Sequence, residues 1–334
     1  MGTYDLVVIG CGDASLIHLD ACLKHESRVR VIAACDPDAQ RLQQFCEKYH
    51  IGKSFVSVDD LLTKCSFDVA IVCTPTPLRF EIIKRLAESE KHILVENPLA
   101  DGLAEARKIV EVCQAAGVGL AVNHNYRYHY GFELAKSIVA EGTIGAVLGA
   151  VHQDLTFRQD NGWMARSNRH ALAIMGVHWL DGFRWFLGKE AEAVVCALRS
   201  SPAIQCAGET EAFVHLRFPE RIAVSYVQSF SSPMARTETL IEGETAMLGI
   251  DHHGVMLFEA GNRQTPLKQW VNPFGGDGKG EATFRCLGGL LDALEDGVEP
   301  PTSGRDSLYT VALLEACYRS AATGGVIDLK KGML

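Results

Sequence analysis

Over the first 123 residues, short apolar runs alternate with helix-length amphipathic segments, and that rhythm leaves few folds open. The runs 4–10, 29–36, 67–74, 92–96 and 118–123 are apolar on both faces, as in Leu6, Val7, Val8, Ile9 and Val69, Ala70, Ile71, Val72. Strands of this kind belong inside a parallel sheet covered on both sides. The segments 13–24, 37–49, 77–90 and 101–116 between them predict the covering helices. Repeated strand–helix units imply a doubly wound α/β domain, with ligands expected beyond the C-terminal ends of the strands.

After residue 123 the pattern changes. A helix near 131–142 precedes longer β-prone runs at 146–157, 191–199, 210–218, 221–230 and 237–249, with turn chemistry at Pro219-Glu220 and Glu242-Gly243. Strand runs without intervening helices predict a large, mostly antiparallel sheet. Helices are expected at 174–187, 281–296 and 306–322. In the last, Leu308, Val311, Leu314, Tyr318 and Ala321 mark one buried face. The expected division is a nucleotide-binding domain over 1–123 and a second α/β domain over 124–334.

Composition narrows the function classes. The net charge of −9 argues against a nucleic-acid groove. No apolar run approaches the roughly 20 residues that cross a bilayer, so no membrane span is expected. The start MGTYDLVVIG has no basic stretch before its apolar residues, and Leu6 stands where a myristoylation signal needs Ser or Thr. The 11 cysteines are scattered and never spaced as CxxC, which suits free thiols in a reducing cytoplasm. No metal site is expected: Asp251-His252-His253-Gly254 reads as a turn. Gly275-Gly276-Asp277-Gly278-Lys279-Gly280 lacks the Ser/Thr of a P-loop and reads as a flexible loop.

The first chemical signal is Gly10-Cys11-Gly12-Asp13-Ala14-Ser15, placed where the first strand turns into the first helix. The first glycine permits the tight turn, the second lets a pyrophosphate approach the backbone, and the helix N-terminus offers amides and a positive dipole end. Ser15 takes the third-glycine position. Asp36 ends the second strand, either to accept hydrogen bonds from a ribose 2′-OH and repel a 2′-phosphate, or to cap the next helix before Pro37. Together these predict NAD in preference to NADP. Cys11 is either a redox-sensitive thiol at a positive helix end or an inert buried one.

Further motifs follow in order: Thr74-Pro75, Glu96-Asn97-Pro98, Asn125-Tyr126-Arg127, Gly176-Val177-His178-Trp179-Leu180-Asp181, Arg184-Trp185-Phe186-Leu187-Gly188, Ser303-Gly304-Arg305-Asp306 and Gly324-Gly325-Val326-Ile327-Asp328-Leu329. With the glycine loop they resemble the Gfo/Idh/MocA family of NAD(P)-dependent oxidoreductases over essentially the whole chain. The resemblance implies a Rossmann domain, then an α/β domain whose open sheet serves oligomerisation, here as a homodimer or homotetramer. It implies hydride transfer between NAD and a hydroxyl-bearing carbon of a sugar, inositol or related polyol. Gly10, Gly12, Asp13 and Ala14 would surround the pyrophosphate and Asp36 the ribose, with Thr74, Pro75, Glu96 and Asn97 toward the nicotinamide.

Three positions depart from the family pattern. Asn97 replaces the lysine of Glu-Lys-Pro, Ile174 replaces an Asp four residues before the histidine, and Thr76 and Arg79 replace Asn and His of TPNxxH. Of the usual Lys/Asp/His set, only His178 remains. Losing both charges leaves a neutral site, whereas losing one would strand the other in a dry cleft. The implied catalytic group is therefore His178 as base, Asn97 as a neutral anchor, and Asp181, three residues on, as a substitute orienting carboxylate. Tyr126 or His124 is placed to donate to a substrate oxygen or to pack. Trp163, Arg166, Arg169 and His170 lie on a loop-like stretch suited to a small polar substrate or to solvent. The alternative is a dinucleotide-binding sensor or partner subunit without dehydrogenase turnover.

Overall fold

The computed structural model describes residues 2–259, 261, 265–274 and 278–329; residues 275–277 of the glycine-rich stretch lie outside them. The chain divides into two units, one of residues 1–125 and 279–311 and one of residues 126–278 and 312–334.

The first unit is built on strands β1 (Tyr4–Ile9), β2 (Val29–Cys35), β3 (Lys53–Phe55), β4 (Val69–Val72), β5 (His92–Val95) and β6 (Leu120–Val122). They form one parallel sheet in the order β3-β2-β1-β4-β5-β6. Helices α1 (Asp13–Cys22), α2 (Ala39–Tyr49), α3 (Val58–Lys64), α4 (Arg79–Glu88) and α5 (Leu103–Ala115) connect them. All four residues of β4 are buried, as its two-sided apolar sequence requires. Burying each such Val or Ile side chain stabilises the fold by about 1.5–3 kcal/mol. The strand order reverses between β1 and β4, so the crevice for a ligand opens at their C-terminal ends. Sequence periodicity misses β3 and α3 because both are short, three and seven residues.

The second unit begins with α6 (Tyr130–Ala140), β7 (Val147–Phe157), α7 (Gly162–Arg166) and α8 (Val177–Leu187). Strands β8 (Ala193–Arg199), β9 (Glu211–Arg217), β10 (Ala223–Ser229), β11 (Ser231–Gly243), β12 (Ala246–Asp251), β13 (Gly254–Glu259) and β14 (Lys268–Val271) follow. The chain ends its described part with α9 (Lys279–Asp296), α10 (Gly304–Thr323) and β15 (Ile327–Asp328). The sheet runs β14-β13-β12-β11-β7-β10-β9-β8-β15, antiparallel except where β7 meets β10. The expected single run 237–249 is two strands, because the chain turns at Glu244 and Thr245. One face carries the core, with Phe132, Phe183, Tyr226 and Leu314 at its centre. The opposite face leaves Val151, Val195 and Phe213 exposed.

Residues 279–311 group with the first unit, whereas the sequence expectation for the second domain was 124–334. Leu290 and Leu294 of α9 lie against Gly119 before β6, where an added Cβ would come 2.8 Å from Leu294 Cδ2. Leu308 and Val311 of α10 join the first core, while Leu313, Leu314 and Cys317 join the second. A pattern read in chain order cannot reveal such a return. No described helix is long and apolar enough to cross a membrane.

Candidate functional site

The turn between β1 and α1 depends on Gly10. Its φ is +93°, and a Cβ there would stand 2.8 Å from the Cys73 carbonyl oxygen. A side chain is excluded twice, by conformation and by contact. Gly12 has open space around its Cα and begins α1 with no side-chain cap, leaving the helix end to an incoming anion. Asp13 is exposed in the first turn, Ala14 is half-buried, and Ser15 Oγ donates to the Gly12 carbonyl at 2.6 Å. Asp36 is buried and accepts from the amides of Cys11 at 2.8 Å and Asp38 at 2.9 Å. The helix cap is Asp38, not Asp36. The Asp36 carboxylate thus ties the glycine turn to the end of β2. Arg41 Nη1 stands 3.6 Å from it on the solvent side. Burial, with Asp36 adding to it, pushes the Cys11 thiol well above its usual range, which favours the protonated form.

Beyond β4 and β5 lies a hydrogen-bonded floor. Glu96 accepts from His18 Nε2 at 2.6 Å and from Asn123 Nδ2 at 2.8 Å. Burial alone would raise its carboxyl, but the His18 bond and the Arg79 charge outweigh burial and hold it at about 2. Arg79 is buried and gives its guanidinium to three backbone carbonyls, those of Thr74 at 3.0 Å, Glu96 at 2.5 Å and Pro98. Burial lowers its pKa to about 10 against the opposing pull of Glu96, so it stays charged at neutral pH. That clamp explains the departure from TPNxxH: Arg79 binds the ends of β4 and β5 together. Pro75 leads into a 3-10 turn over Thr76–Leu78 that delivers Arg79 to this place. Asn97 Nδ2 donates to the Asn123 carbonyl at 2.8 Å, fixing the same loop to the end of β6.

The floor fits a dinucleotide. Gly10 and Gly12 form a cradle that side chains would fill. The buried Thr74 Oγ1 has no hydrogen-bond partner among the described residues. His18, Cys73 and Glu96 hold one possible metal-ligand atom each within 4.8 Å of one another. Burial, with Glu96 next, pushes the Cys73 thiol well above its ordinary value, which keeps it a poor ligand. His124 is buried, with Nε2 at hydrogen-bond distance, 3.0 Å, from Ser307 Oγ.

In the second unit, His178 lies one residue into α8, directly after a π-helical turn over Leu172–Gly176 that contains Ile174. Such turns are uncommon and concentrate at functional sites. Gly176 fits there because a Cβ would stand 3.0 Å from the Tyr226 hydroxyl and closer still to Leu172. The His178 ring stacks on Tyr126, with centroids 4.2 Å apart and planes at 26°. Tyr126 also stacks on His129 at 4.2 Å and meets Trp179 edge-on at 5.0 Å.

Asp181 is held by arginines. Its carboxylate accepts a fork from Arg127, at 2.7 Å from Nε and 2.6 Å from Nη2, while Arg184 approaches within 3.4 Å and also pairs with Glu190. The pair is 1% and 5% exposed at Asp181 and Arg127. The sequence reading gave this carboxylate the orienting role for His178; in the structure its hydrogen-bonded fork goes to Arg127.

The stretch before this helix divides likewise. Trp163 and Arg166 are exposed on the short α7. Arg169 lies over the Tyr318 ring at 4.5 Å, and the buried His170 bonds Asp160 at 3.0 Å. Burial pushes the Asp160 carboxyl up, but the His170 bond and Arg158 hold it below its ordinary value. Glu209 receives the amides of His170 and Leu172 and the Tyr318 hydroxyl, securing the start of the π turn.

The structure adds residues that sequence reasoning missed. A cavity of about 650 Å³ on the second unit's sheet is lined by Asp154, Thr156, Arg158, Met175, Arg236 and Thr237. A neighbouring one of about 230 Å³ includes Tyr126, His129 and Trp179, and shares Thr237, Asp251 and His252 with the first. Asp154 is buried and accepts from Trp179 Nε1 at 3.2 Å and Thr237 Oγ1 at 3.1 Å. Burial drives the neighbouring His152 imidazole down to about 3, so it is neutral. The available signal was polar residues at the core-facing positions 152 and 154 of an alternating strand. Asp251 and His252 sit at the expected hairpin turn, where Asp251 Oδ1 accepts from the His253 amide at 2.8 Å.

Comparisons with known proteins agree with this architecture. Residues 4–124 match the profile described as "Oxidoreductase family, NAD-binding Rossmann fold", and residues 132–249 match "GFO/IDH/MocA C-terminal domain". D-apiose dehydrogenase of Paraburkholderia graminis is 28% identical, covering 97% of this chain and 89% of that protein. The 1,5-anhydro-D-fructose reductase of Ensifer adhaerens is 25% identical, covering 91% and 92%. A crystal structure of an oxidoreductase from Agrobacterium radiobacter, in complex with NAD+, L-tartaric acid and magnesium, superposes with a TM-score of 0.85 at 23% identity, covering 98% of this chain and 99% of that one. Two profiles in the same order as the two halves of the chain, on a parallel sheet with a glycine cradle, make this protein a member of the Gfo/Idh/MocA family of oxidoreductases, with its NAD-binding Rossmann domain.

Proposed function

We propose that the protein is an NAD-dependent dehydrogenase of a neutral sugar or polyol, and that His178 exchanges the hydroxyl proton. NAD supplies the hydride acceptor when bound. The observation that carries the reading is the glycine turn, fixed by the buried Asp36 carboxylate, at the reversal of strand order. Asp13 and Ala14 would give amides to the pyrophosphate, Asp36 would meet the ribose, and Thr74 Oγ1 and Glu96 would face the rest of the cofactor. Glu96 is ionised at every physiological pH and so can only accept hydrogen bonds. The 28% identical relative is named for a sugar substrate, which favours turnover over a sensor.

The chemistry of the sheet cavity favours a neutral substrate. Arg158 is paired with Asp160 and Arg236 with Glu238, so each cation is already compensated. Asp154, held by neutral donors, is suited to accept substrate hydroxyls. Trp163 and Arg166 remain candidate outer contacts.

The exposed face of the second sheet carries apolar residues in neighbouring rows, where Phe213 pairs in register with Ala197 and Val227. A homodimer or homotetramer through this face would remove Phe213, Val151 and Val195 from water. The 11 cysteines form no disulfide, which suits a cytoplasmic protein.

The test is a panel of sugars and polyols with NAD, followed by NADH absorbance. His178→Ala should lower turnover by about 10²–10⁴ while leaving NADH affinity intact. Wild-type turnover in that variant would move the proton elsewhere; tight NADH binding with no substrate across the panel would favour the sensor.

A further inference from the structure

A carboxylate on the core side of a sheet is costly unless it is held, and Asp154 is held from three elements. It stands at a core-facing position of β7 and is 6% exposed. Its register neighbour on β11, Thr237, donates to Oδ1 at 3.1 Å, and Trp179 of α8 donates to Oδ2 at 3.2 Å. Its register neighbour on β10, Gln228, donates to the Asp154 carbonyl at 3.1 Å and accepts from the Tyr226 hydroxyl at 2.6 Å. The carboxylate is therefore fixed in orientation by neutral donors. A carboxylate has about four acceptor positions, so about one on each oxygen is left for a ligand in the cavity that Asp154 lines.

We propose that Asp154 is the specificity determinant of the sheet cavity: its two oxygens accept from adjacent hydroxyls of a neutral polyol, and its charge excludes sugar acids. The charges around the cavity support this. Arg158 is paired with Asp160 at 2.8 Å and Arg236 with Glu238 at 2.7 Å. Asp251 Oδ1 accepts from the amides of His253 at 2.8 Å and Gly254 at 3.2 Å. Among the described residues, both arginines lining the cavity thus have a carboxylate partner, whereas Asp154 pairs with no cation. An anionic substrate would find both guanidinium groups engaged and would face the uncompensated Asp154. A like charge about 6 Å away in a partly buried site costs about 30–100-fold in affinity. A vicinal diol meets the opposite case, since each hydroxyl can donate to an open position on one rigid pair of oxygens. An analogue lacking one of those hydroxyls leaves an oxygen of a buried carboxylate short of a donor.

This role rests on the reading of the sheet cavity as the sugar site of a dehydrogenase, and the experiment separates the two. The Trp179 indole proton, bonded to Asp154, reports binding there without any turnover. It is followed by NMR in tryptophan-labelled protein with NADH, and assigned by elimination with Trp163→Phe, Trp185→Phe and Trp270→Phe. The probes are D-glucose, its monodeoxy series, D-glucuronamide and D-glucuronate, the last two alike in shape and different in charge. D-glucose and the amide should shift the signal, and the acid should need at least about 30-fold higher concentration. Two monodeoxy analogues lacking neighbouring hydroxyls should bind about tenfold or more weakly. Asp154→Asn should bring acid and amide within about threefold of each other. Asp154→Ser replaces it if the Asn variant does not fold, as melting and NADH affinity show. Asp154→Glu keeps the charge on displaced oxygens, so it should still exclude the acid while weakening D-glucose about tenfold. Wild-type protein that binds glucuronate as tightly as glucuronamide overturns the proposal, as does a neutral variant that keeps the wild-type ratio. A Trp179 signal that no neutral probe moves also overturns it. Binding with the expected signature but no NADH formed from any panel sugar would remove the dehydrogenase reading and leave the role of Asp154 standing. Turnover whose KM and acid exclusion survive Asp154→Asn would do the reverse.

Discussion

Replacing Asp36 with Ala tests the nucleotide site and its scaffold together. In the structure the carboxylate accepts from two amides, Cys11 at 2.8 Å and Asp38 at 2.9 Å, and the residue is 4% exposed. Hydrogen bonds to a charged group are worth about 1.5–3 kcal/mol each, and the crevice lets water recover part of the loss. A net destabilisation of about 2–4 kcal/mol follows, or a melting temperature lower by about 5–15 °C for domains of this size. The same substitution removes the ribose acceptor, so NAD(H) should weaken by about tenfold or more, roughly 1.4 kcal/mol. NADP(H) should not weaken in step. Arg41, 3.6 Å from Asp36 and 3.3 Å from Asp38, loses one of its two carboxylates and becomes available to a 2′-phosphate. Scanning calorimetry and isothermal titration with both cofactors on Asp36→Ala and Asp36→Asn read these effects separately. A variant that melts with wild type and keeps the wild-type ratio of NAD to NADP affinity would refute the reasoning. Wild-type protein that binds NADP(H) as tightly as NAD(H) would refute the ribose assignment alone.

Arg79→Met should destabilise by at least about 3 kcal/mol, because three buried carbonyls lose their donor; Arg79→Lys should recover only part, as an ammonium cannot span the three. Thermal unfolding of both variants checks this. The Glu96 carboxyl, held at about 2 against an ordinary 4.5, contributes stability that is full above about 4.5 and disappears as pH falls through about 2. Glu96→Gln should therefore flatten the acid limb of a stability–pH curve, and an unchanged limb would contradict the depressed value. Phe213→Glu on the open sheet face should shift light scattering from an oligomer to a 36.4 kDa monomer without lowering NADH affinity; a wild-type monomer at micromolar concentration would remove the interface.

The parallel sheet was legible because its strands are buried on both faces and therefore apolar without alternation. The glycine turn was legible because Gly10 has no steric substitute. What sequence could not convey was the partner of each charge. Asp181 lies on the same helix as His178, and spacing alone makes it a plausible orienting group, yet Arg127, 54 residues upstream, claims it. Arg79 looked like a lost histidine and proves to be a clamp on three carbonyls. Residues 279–311 return to the first unit because α9 packs its leucines beside Gly119, a contact invisible to any local pattern.

These partners share a logic that bears on the unusual catalytic positions. Asp181 with Arg127 and Arg184, Asp160 with Arg158 and His170, Glu96 with His18, and Arg79 with its carbonyls are each charges satisfied inside the scaffold. None of them requires a charge at position 97 or 174. Asn97 instead makes a neutral bond to a backbone carbonyl, and Ile174 is half-buried in the π turn. A lone carboxylate restored at 174 would enter a half-buried position and would bear part of its desolvation cost. Ile174→Asp by itself should therefore lower stability. The scaffold's buried charges named here are thus satisfied without a charge at either position.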